Sequence, residues 1–154
     1  MGADARLQEL GITLPKPADP VANYVRARRI GTTLYVSGHG PAQDENGWRP
    51  RGKVGGDLTL DQGYQAARLV GLNLLASVRA ELGTLDRVKQ IVKVLGMVNC
   101  APGFDQTPKV INGCSDLLVE VFGEEAGRHA RSAVGMAELP STIPVEIEMV
   151  VEIE

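Results

Sequence analysis

The residues of this chain that could do chemistry together lie near its C-terminus, where an arginine and a row of glutamates fall on two extended segments. Arg131 stands before a run of small residues, which leaves room around its guanidinium: Ser132, Ala133, Gly135 and Ala137. A planar guanidinium with such freedom suits a bidentate grip on a carboxylate. An ordinary cross-strand pair between this arginine and a glutamate is the alternative, and residue types alone favour it.

Two strands joined by a loop must position these residues. The second segment, Val145–Ile153, alternates apolar residues with Glu146, Glu148, Val150 and Glu152, a period of two that predicts a strand with one buried face. The first segment, Arg131–Glu138, is also predicted to be extended, with Leu139–Pro144 as the loop that joins the two. One face of the second strand therefore gathers carboxylates.

The N-terminal part predicts a short helix, a surface leader and a hairpin. Ala3–Leu10 favours the helix, and the prolines of Thr13–Pro20 exclude both helix and central strand. Val21–Ala27 and Thr32–Ser37 are rich in β-formers, and Arg28–Gly31 is predicted as the turn between them.

Two longer helices alternate with strands in the rest of the chain. Thr59 and Gln62 form a capping box before a helix that Gly83 ends. Val88–Val98 predicts a central strand buried on both faces, and Thr107 is the predicted N-cap of the second helix. The order β, β, α, β, α, β, β predicts an α+β fold, a mixed sheet with two helices on one face. The small and acidic residues of the other face could then line a symmetric oligomer.

Bulk composition excludes several classes of function. A chain of 154 residues with 44% apolar residues suits one globular core. The net charge is −3 and only 4% of the residues are aromatic, so the sequence lacks the basic, stacking face of a nucleic-acid binder. The chain starts with no signal-like segment and holds no apolar window long enough to span a bilayer. We therefore expect a cytoplasmic protein that binds neither nucleic acid nor membrane.

Other reactive side chains give no recognisable motif. Cys100 and Cys114 are predicted to be free, mostly buried thiols, and His39 and His129 lack metal-ligand spacing. The sequence Gly52–Val54 lacks the spacing of a phosphate-binding loop. We expect neither a metal nor a cofactor.

Three short motifs in the last part of the chain resemble a known family. Arg131–Val134, then Leu139-Pro140, then Val145–Glu148 are similar to the C-terminal signature of the RidA/YjgF family, the reactive-intermediate deaminases. The resemblance extends over residues 20–154, which predicts an N-terminal leader over 1–20 and a single RidA-like domain over 21–154. It implies a chorismate-mutase-like fold and a homotrimer with sites between subunits. The implied activity is hydrolysis of 2-imino and 2-enamino acids to 2-oxo acids and ammonia.

The resemblance also assigns roles to individual residues. Arg131 would bind the carboxylate of a small substrate, and Glu146 would orient or deprotonate the attacking water. The remaining candidates would line or support the substrate: Tyr24, Ser37, Gly38, Asn112 and Ala133.

Two departures from the family pattern leave a second function open. Many active members carry a cysteine at the position of Ala133, and the family's usual Gly-Pro before the tyrosine is here Ala22-Asn23. A non-catalytic trimer that binds small carboxylates such as 2-oxo acids is the alternative. A ribonuclease follows only from an older label of the family, since the sequence offers neither a histidine pair nor a basic stacking face. The preferred imino acid and the subunit that donates each site residue stay open.

Overall fold

The computed structural model describes all residues, 1–154, and has the predicted α+β architecture. Its five strands are β1 (Ala27–Ile30), β2 (Thr33–His39), β3 (Val88–Asn99), β4 (Ala130–Met136) and β5 (Val145–Ile153). Its helices are α1 (Ala3–Glu9), α2 (Leu60–Leu82) and α3 (Thr107–Gly127), with short 3₁₀ turns at Leu85–Arg87 and Pro140–Thr142. None of the helices combines the length and the apolarity that crossing a bilayer requires.

The strands form one mixed sheet in the order β1-β2-β5-β3-β4. Only the pair β3 and β4 is parallel, and β4 is an edge strand. The helices α2 and α3 pack against each other and against one face of this sheet, as predicted. We call the uncovered face the open face; it carries Tyr35, Leu95, Ser132, Glu148 and Val150 around a groove of about 640 Å³.

The predicted alternation of β5 is confirmed. Its five apolar residues from Val145 to Ile153 at alternate positions are at most 2% exposed, and the glutamates between them face away from the helices. The prediction that β3 is buried on both faces is wrong for the single chain. Val92 is 41% exposed and Leu95 is only half-buried, because the helices cover one face alone.

The first hairpin lies later in the chain than predicted. β1 begins at Ala27, so Val21–Arg26 is not a strand, and the turn falls after Ile30. Gly31 has φ +59°, a conformation that glycine adopts without a steric penalty. The turn therefore forms at the glycine, and Arg28 pairs with Tyr35 inside the ladder.

The two long helices begin close to the predicted residues. Both hydrogen bonds of the capping box between Thr59 and Gln62 are present, and Gly83 closes α2 in the left-handed conformation. Thr107 lies inside α3, whose N-cap is Gln106, so the predicted cap is wrong by one residue. The Thr107 hydroxyl instead donates to the carbonyl oxygen of Ala133 at 2.9 Å. It thereby fastens the start of α3 to β4.

The N-terminal helix α1 packs on the domain. Leu7 is 2% exposed and belongs to the hydrophobic core. Asp86 Oδ1 accepts a hydrogen bond from the Asp4 backbone N–H, while Asp4 Oδ2 accepts bonds from Thr84 and Leu85. The sequence's division into a leader and a domain at residue 20 stays a prediction, but α1 itself contributes to the core.

Candidate functional site

Arg131 lies on the edge strand β4, on the side that faces α3. Its Nη1 donates to Asn112 Oδ1 at 2.8 Å and to Ser115 Oγ at 3.1 Å. Its Nη2 donates to the carbonyl oxygen of Pro108 at 3.4 Å. Asn112 and Ser115 lie three residues apart on α3 and so present their oxygens on one side of the helix. The first turns of α3 therefore fix the orientation of the guanidinium.

Part of the guanidinium is left without a protein partner. The Nε–H group and one of the two Nη2–H groups donate to no protein atom, and no carboxylate lies within ion-pair distance of Arg131. The cross-strand pair with a glutamate is therefore not formed in this chain. Arg131 and Asp116 both line a pocket of about 300 Å³. The Asp116 carboxylate accepts a hydrogen bond from the Tyr64 hydroxyl instead of pairing with Arg131. A half-buried cation with free donors can bind an anion, and a carboxylate matches its geometry.

A histidine that sequence reasoning did not place in the site completes the group around Arg131. His129 Nε2 lies 3.0 Å from Ser115 Oγ, and its Nδ1 lies 2.8 Å from the carbonyl oxygen of Gly127. A carbonyl can only accept, so Nδ1 carries the ring proton and Nε2 accepts from the serine hydroxyl. Burial lowers the pKa of His129, and the charge of Arg131 lowers it further, so the ring is neutral at neutral pH.

Glu146 lies on β5 and projects toward the open face, over the end of β2. A β-carbon added at Gly38 would lie 2.6 Å from Glu146 Oε2. The absence of a side chain at Gly38 therefore makes the space that the carboxylate occupies. Burial raises the pKa of Glu146 above its usual value, and the nearby charge of Glu148 raises it further. A carboxyl group with a raised pKa can accept and return a proton more readily near neutral pH.

The end of β2 is irregular beside Glu146. Its pairing with β5 shifts register between Val36 and His39, and Ser37 and Gly38 lie in this irregular segment. The Ser37 hydroxyl donates to the Val25 carbonyl at 2.7 Å. His39 Nδ1 lies 2.6 Å from the Ser37 carbonyl, while its Nε2 accepts from the buried Ser77 on α2 at 2.7 Å. His39 therefore holds the irregular segment from beneath the sheet.

The seven candidate residues divide into two groups on opposite sides of the sheet. Arg131, Asn112 and Ala133 lie on the side of α3. Tyr24 and Ser37 line one shallow depression, and Glu146 lies against Gly38 on the open face. Neighbouring strands are about 4.8 Å apart. Since β3 lies between β4 and β5, about 10 Å separates the strands that carry Arg131 and Glu146. The two side chains also point to opposite faces of the sheet.

Within one chain, the structure thus brings the residues of each group together but keeps the two groups apart.

Ser115 and His129 are the candidate site residues that sequence reasoning missed. The signal for Ser115 was its spacing of three from Asn112 in a predicted helix. His129 gave no such signal, because it reaches Ser115 only after the chain turns at Gly123, where φ is +83°.

The other reactive groups are occupied in the fold. Both cysteines are free, and burial raises the pKa of Cys114 to about 12. Lys53 Nζ donates to Asn99 Oδ1 at 2.8 Å and lies 3.4 Å from a carboxylate oxygen of Glu138. Lys53 therefore ties the loop that precedes α2 to the end of β4, and its ammonium group is not free to bind phosphate.

Comparison with known proteins identifies a family for nearly the whole chain. Residues 4–148 match the family model described as "YjgF/chorismate_mutase-like, putative endoribonuclease". Protein TCP17 of Trypanosoma cruzi is 47% identical over 149 residues, 97% of this chain and 92% of the relative. A 2-iminobutanoate/2-iminopropanoate deaminase of Dermatophagoides farinae is 32% identical over 143 residues, 93% of this chain and 95% of the relative.

Solved structures share the fold along the full length. A protein of unknown function from Agrobacterium tumefaciens is 42% identical with a TM-score of 0.88, over 99% of this chain and 92% of the other. A structure from Shewanella oneidensis described as a "putative endoribonuclease" is 33% identical with a TM-score of 0.93, over 99% of this chain and 100% of the other. These matches confirm the fold expected from the sequence.

Proposed function

The chain belongs to the YjgF/chorismate-mutase-like family, and on that premise we propose that it hydrolyses small 2-imino or 2-enamino acids to 2-oxo acids and ammonia. The family includes a protein named as an imine deaminase and others named as endoribonucleases. The observation that carries the proposal is the free edge of the Arg131 guanidinium, which has donors and charge but no carboxylate partner in its own chain.

The complete site requires two subunits. Since Arg131 and Glu146 lie on opposite sides of the sheet, one cleft can use both only if they come from different chains. In the proposed homotrimer, Arg131, Asn112 and Ala133 of one subunit face Tyr24, Ser37, Gly38 and Glu146 of the next. The open face, with its exposed Tyr35 and Val134, supplies apolar surface for such a symmetric contact.

The reaction follows from the two charged groups. The Nε–H and Nη2–H donors of Arg131 hold the substrate carboxylate, which places the imine carbon in the cleft. Glu146 accepts a proton from a water molecule as the water oxygen attacks that carbon. The electron pair of the C=N bond of the protonated imine moves onto nitrogen, which gives a neutral carbinolamine. Glu146 returns the proton to the carbinolamine nitrogen and then accepts the proton of the hydroxyl group, while the C–N bond breaks, the C=O bond of the 2-oxo acid forms and ammonia leaves. Ala133 contributes a methyl group, and no step requires a thiol there.

Binding of a small carboxylate without turnover is the second candidate, because the anion site of Arg131 is complete without any catalytic group. Ribonuclease action has less support. His39 on β2 bonds Ser77 of α2, whereas His129 before β4 bonds Ser115 of α3. Each histidine donates from Nδ1 to a carbonyl and accepts at Nε2 from a serine, so the two do not form an acid–base pair.

The test is release of ammonia and 2-oxo acid from 2-iminopropionate, generated in the assay by an amino-acid oxidase. We expect wild type to accelerate release and Arg131→Ala to abolish the acceleration while remaining folded. Arg128→Ala is a matched control, because Arg128 lines the same pocket but is exposed and bonds only its neighbour Glu124. Unchanged turnover in Arg131→Ala would contradict the assignment. No turnover in wild type, with a 2-oxo acid raising the melting temperature, would favour the binding protein.

A further inference from the structure

The hydrogen bonds around Arg131 continue beyond the residues that touch it. Ser115 Oγ accepts from Arg131 Nη1 at 3.1 Å and contacts His129 Nε2 at 3.0 Å. The chain of bonds ends at the Gly127 carbonyl, which accepts from His129 Nδ1 at 2.8 Å. Every donor in this series has an acceptor, and its direction is set by the carbonyl at its end.

The histidine decides which way the serine hydroxyl points. A serine inside a helix can also donate to the carbonyl oxygen of the preceding turn, which would rotate its lone pairs away from a neighbour. A neutral His129 with its proton on Nδ1 offers Nε2 as the acceptor for that hydroxyl. The lone pairs of Ser115 Oγ are then free to accept from Arg131.

Two glycines at the end of α3 place His129 beside Ser115. The chain turns at Gly123, whose φ of +83° is unfavourable for residues with a side chain, and α3 ends at Gly127. At Gly127 a β-carbon would meet the Leu118 carbonyl oxygen at 2.6 Å, so only glycine allows this close return against the helix. His129 then follows directly before β4 and lies beside Ser115.

We propose that His129 is a positioning residue of this site, which acts through Ser115 to hold the Arg131 guanidinium with its free edge toward the substrate carboxylate. This inference rests on the proposed function for its kinetic consequence only. The orientation of Arg131 itself is a property of the folded protein and is measurable without turnover.

The variants separate the hydrogen bond from the bulk of the ring. His129→Gln keeps an oxygen acceptor near the position of Nε2, His129→Leu removes the acceptor, and Ser115→Ala removes the link with little change in volume. Because the carboxylate is held in both the ground state and the transition state, loss of orientation raises KM and leaves kcat unchanged. We expect KM for 2-iminopropionate to rise about 3- to 10-fold in His129→Leu and Ser115→Ala, the size of one neutral hydrogen bond. His129→Gln is expected to stay near wild type.

A second measurement does not depend on activity. Nitrogen-15 NMR of the Arg131 side chain is expected to show a guanidinium with restricted rotation in wild type and His129→Gln, and faster rotation in His129→Leu and Ser115→Ala. Equal rotation in wild type and Ser115→Ala would overturn the inference whether or not the protein is a deaminase. So would a fall in kcat with unchanged KM in Ser115→Ala, or the same defect in His129→Gln as in His129→Leu. Absent turnover in wild type with the expected NMR result would overturn the proposed function alone.

Discussion

The Glu146 carboxylate fills the space that a side chain at Gly38 would need: a β-carbon on the glycine would lie 2.6 Å from Oε2 of the glutamate. Real β-carbons essentially never come within 3.0 Å of another heavy atom, so one of the two groups would have to move. The carboxylate is the end of a flexible side chain and is the group that moves.

Gly38→Ala should therefore inactivate the protein without unfolding it. A displacement of about 1 Å at a catalytic group can cost about 100-fold in rate, and we expect a loss of that order in kcat. Gly40→Ala is the matched control, since its β-carbon would meet only the Ile143 side chain, at 3.1 Å. Full activity in Gly38→Ala would mean that the position of Glu146 does not matter for turnover.

Asn112→Asp should weaken the binding of a substrate carboxylate to Arg131. The new carboxylate would lie where the Asn112 oxygen lies, 2.8 Å from Arg131 Nη1, and would neutralise the charge that a substrate carboxylate needs. We expect KM to rise by at least about 10-fold, the factor for a loss of 1.4 kcal/mol in binding. Asn112→Ala removes only one hydrogen bond and should raise KM less. The order of the two variants in steady-state kinetics is the measurement, and equal KM values would contradict the charge argument.

Glu146→Gln should be more stable than wild type at high pH. The pKa of Glu146 is raised in the folded protein, by burial first and by Glu148 second, so folding favours its protonated form. Its favourable contribution is complete below the unfolded pKa and is lost as pH rises through the raised folded pKa. Thermal unfolding should show a higher melting temperature for the variant at pH 8 and no gain at pH 4.

Leu7→Ala tests whether α1 belongs to the folded core. Leu7 is 2% exposed, and truncation of a buried leucine costs about 2–5 kcal/mol of unfolding free energy. We expect a loss in that range by chemical denaturation. Turnover at 25 °C should be retained in the fraction that stays folded, because no candidate site residue lies on α1. Glu9→Ala, on the exposed side of the same helix, should change stability by less than about 0.5 kcal/mol.

Parts of this structure could be predicted because a local pattern determines them. The bounds of β5, Val145–Ile153, agree with the sequence prediction, since a period of two over nine residues leaves one register that buries its apolar residues. The capping box at Thr59 likewise fixes the start of α2. The first hairpin lies later in the chain than its β-forming residues predict, because the turn forms where Gly31 supplies the left-handed conformation.

The site could be predicted residue by residue but not as an arrangement. The sequence identifies Arg131 and Glu146 as candidates, but their opposite directions follow from the strand registers. Arg131 is opposite Val94 of β3, which faces the helices, whereas Glu146 is opposite Met97, which faces away from them. No local pattern encodes how the two strands are registered against β3. His129 was missed for a related reason, because its contact with Ser115 depends on the left-handed turn at Gly123.

The opposite placement of Arg131 and Glu146 has a genetic consequence. If each cleft takes the arginine from one chain and the glutamate from its neighbour, two alleles that are each inactive can complement one another. In randomly mixed trimers of Arg131→Ala and Glu146→Ala chains, about one cleft in four would combine an intact arginine with an intact glutamate. A heterozygote for the two alleles would then keep a fraction of the activity that neither homozygote has.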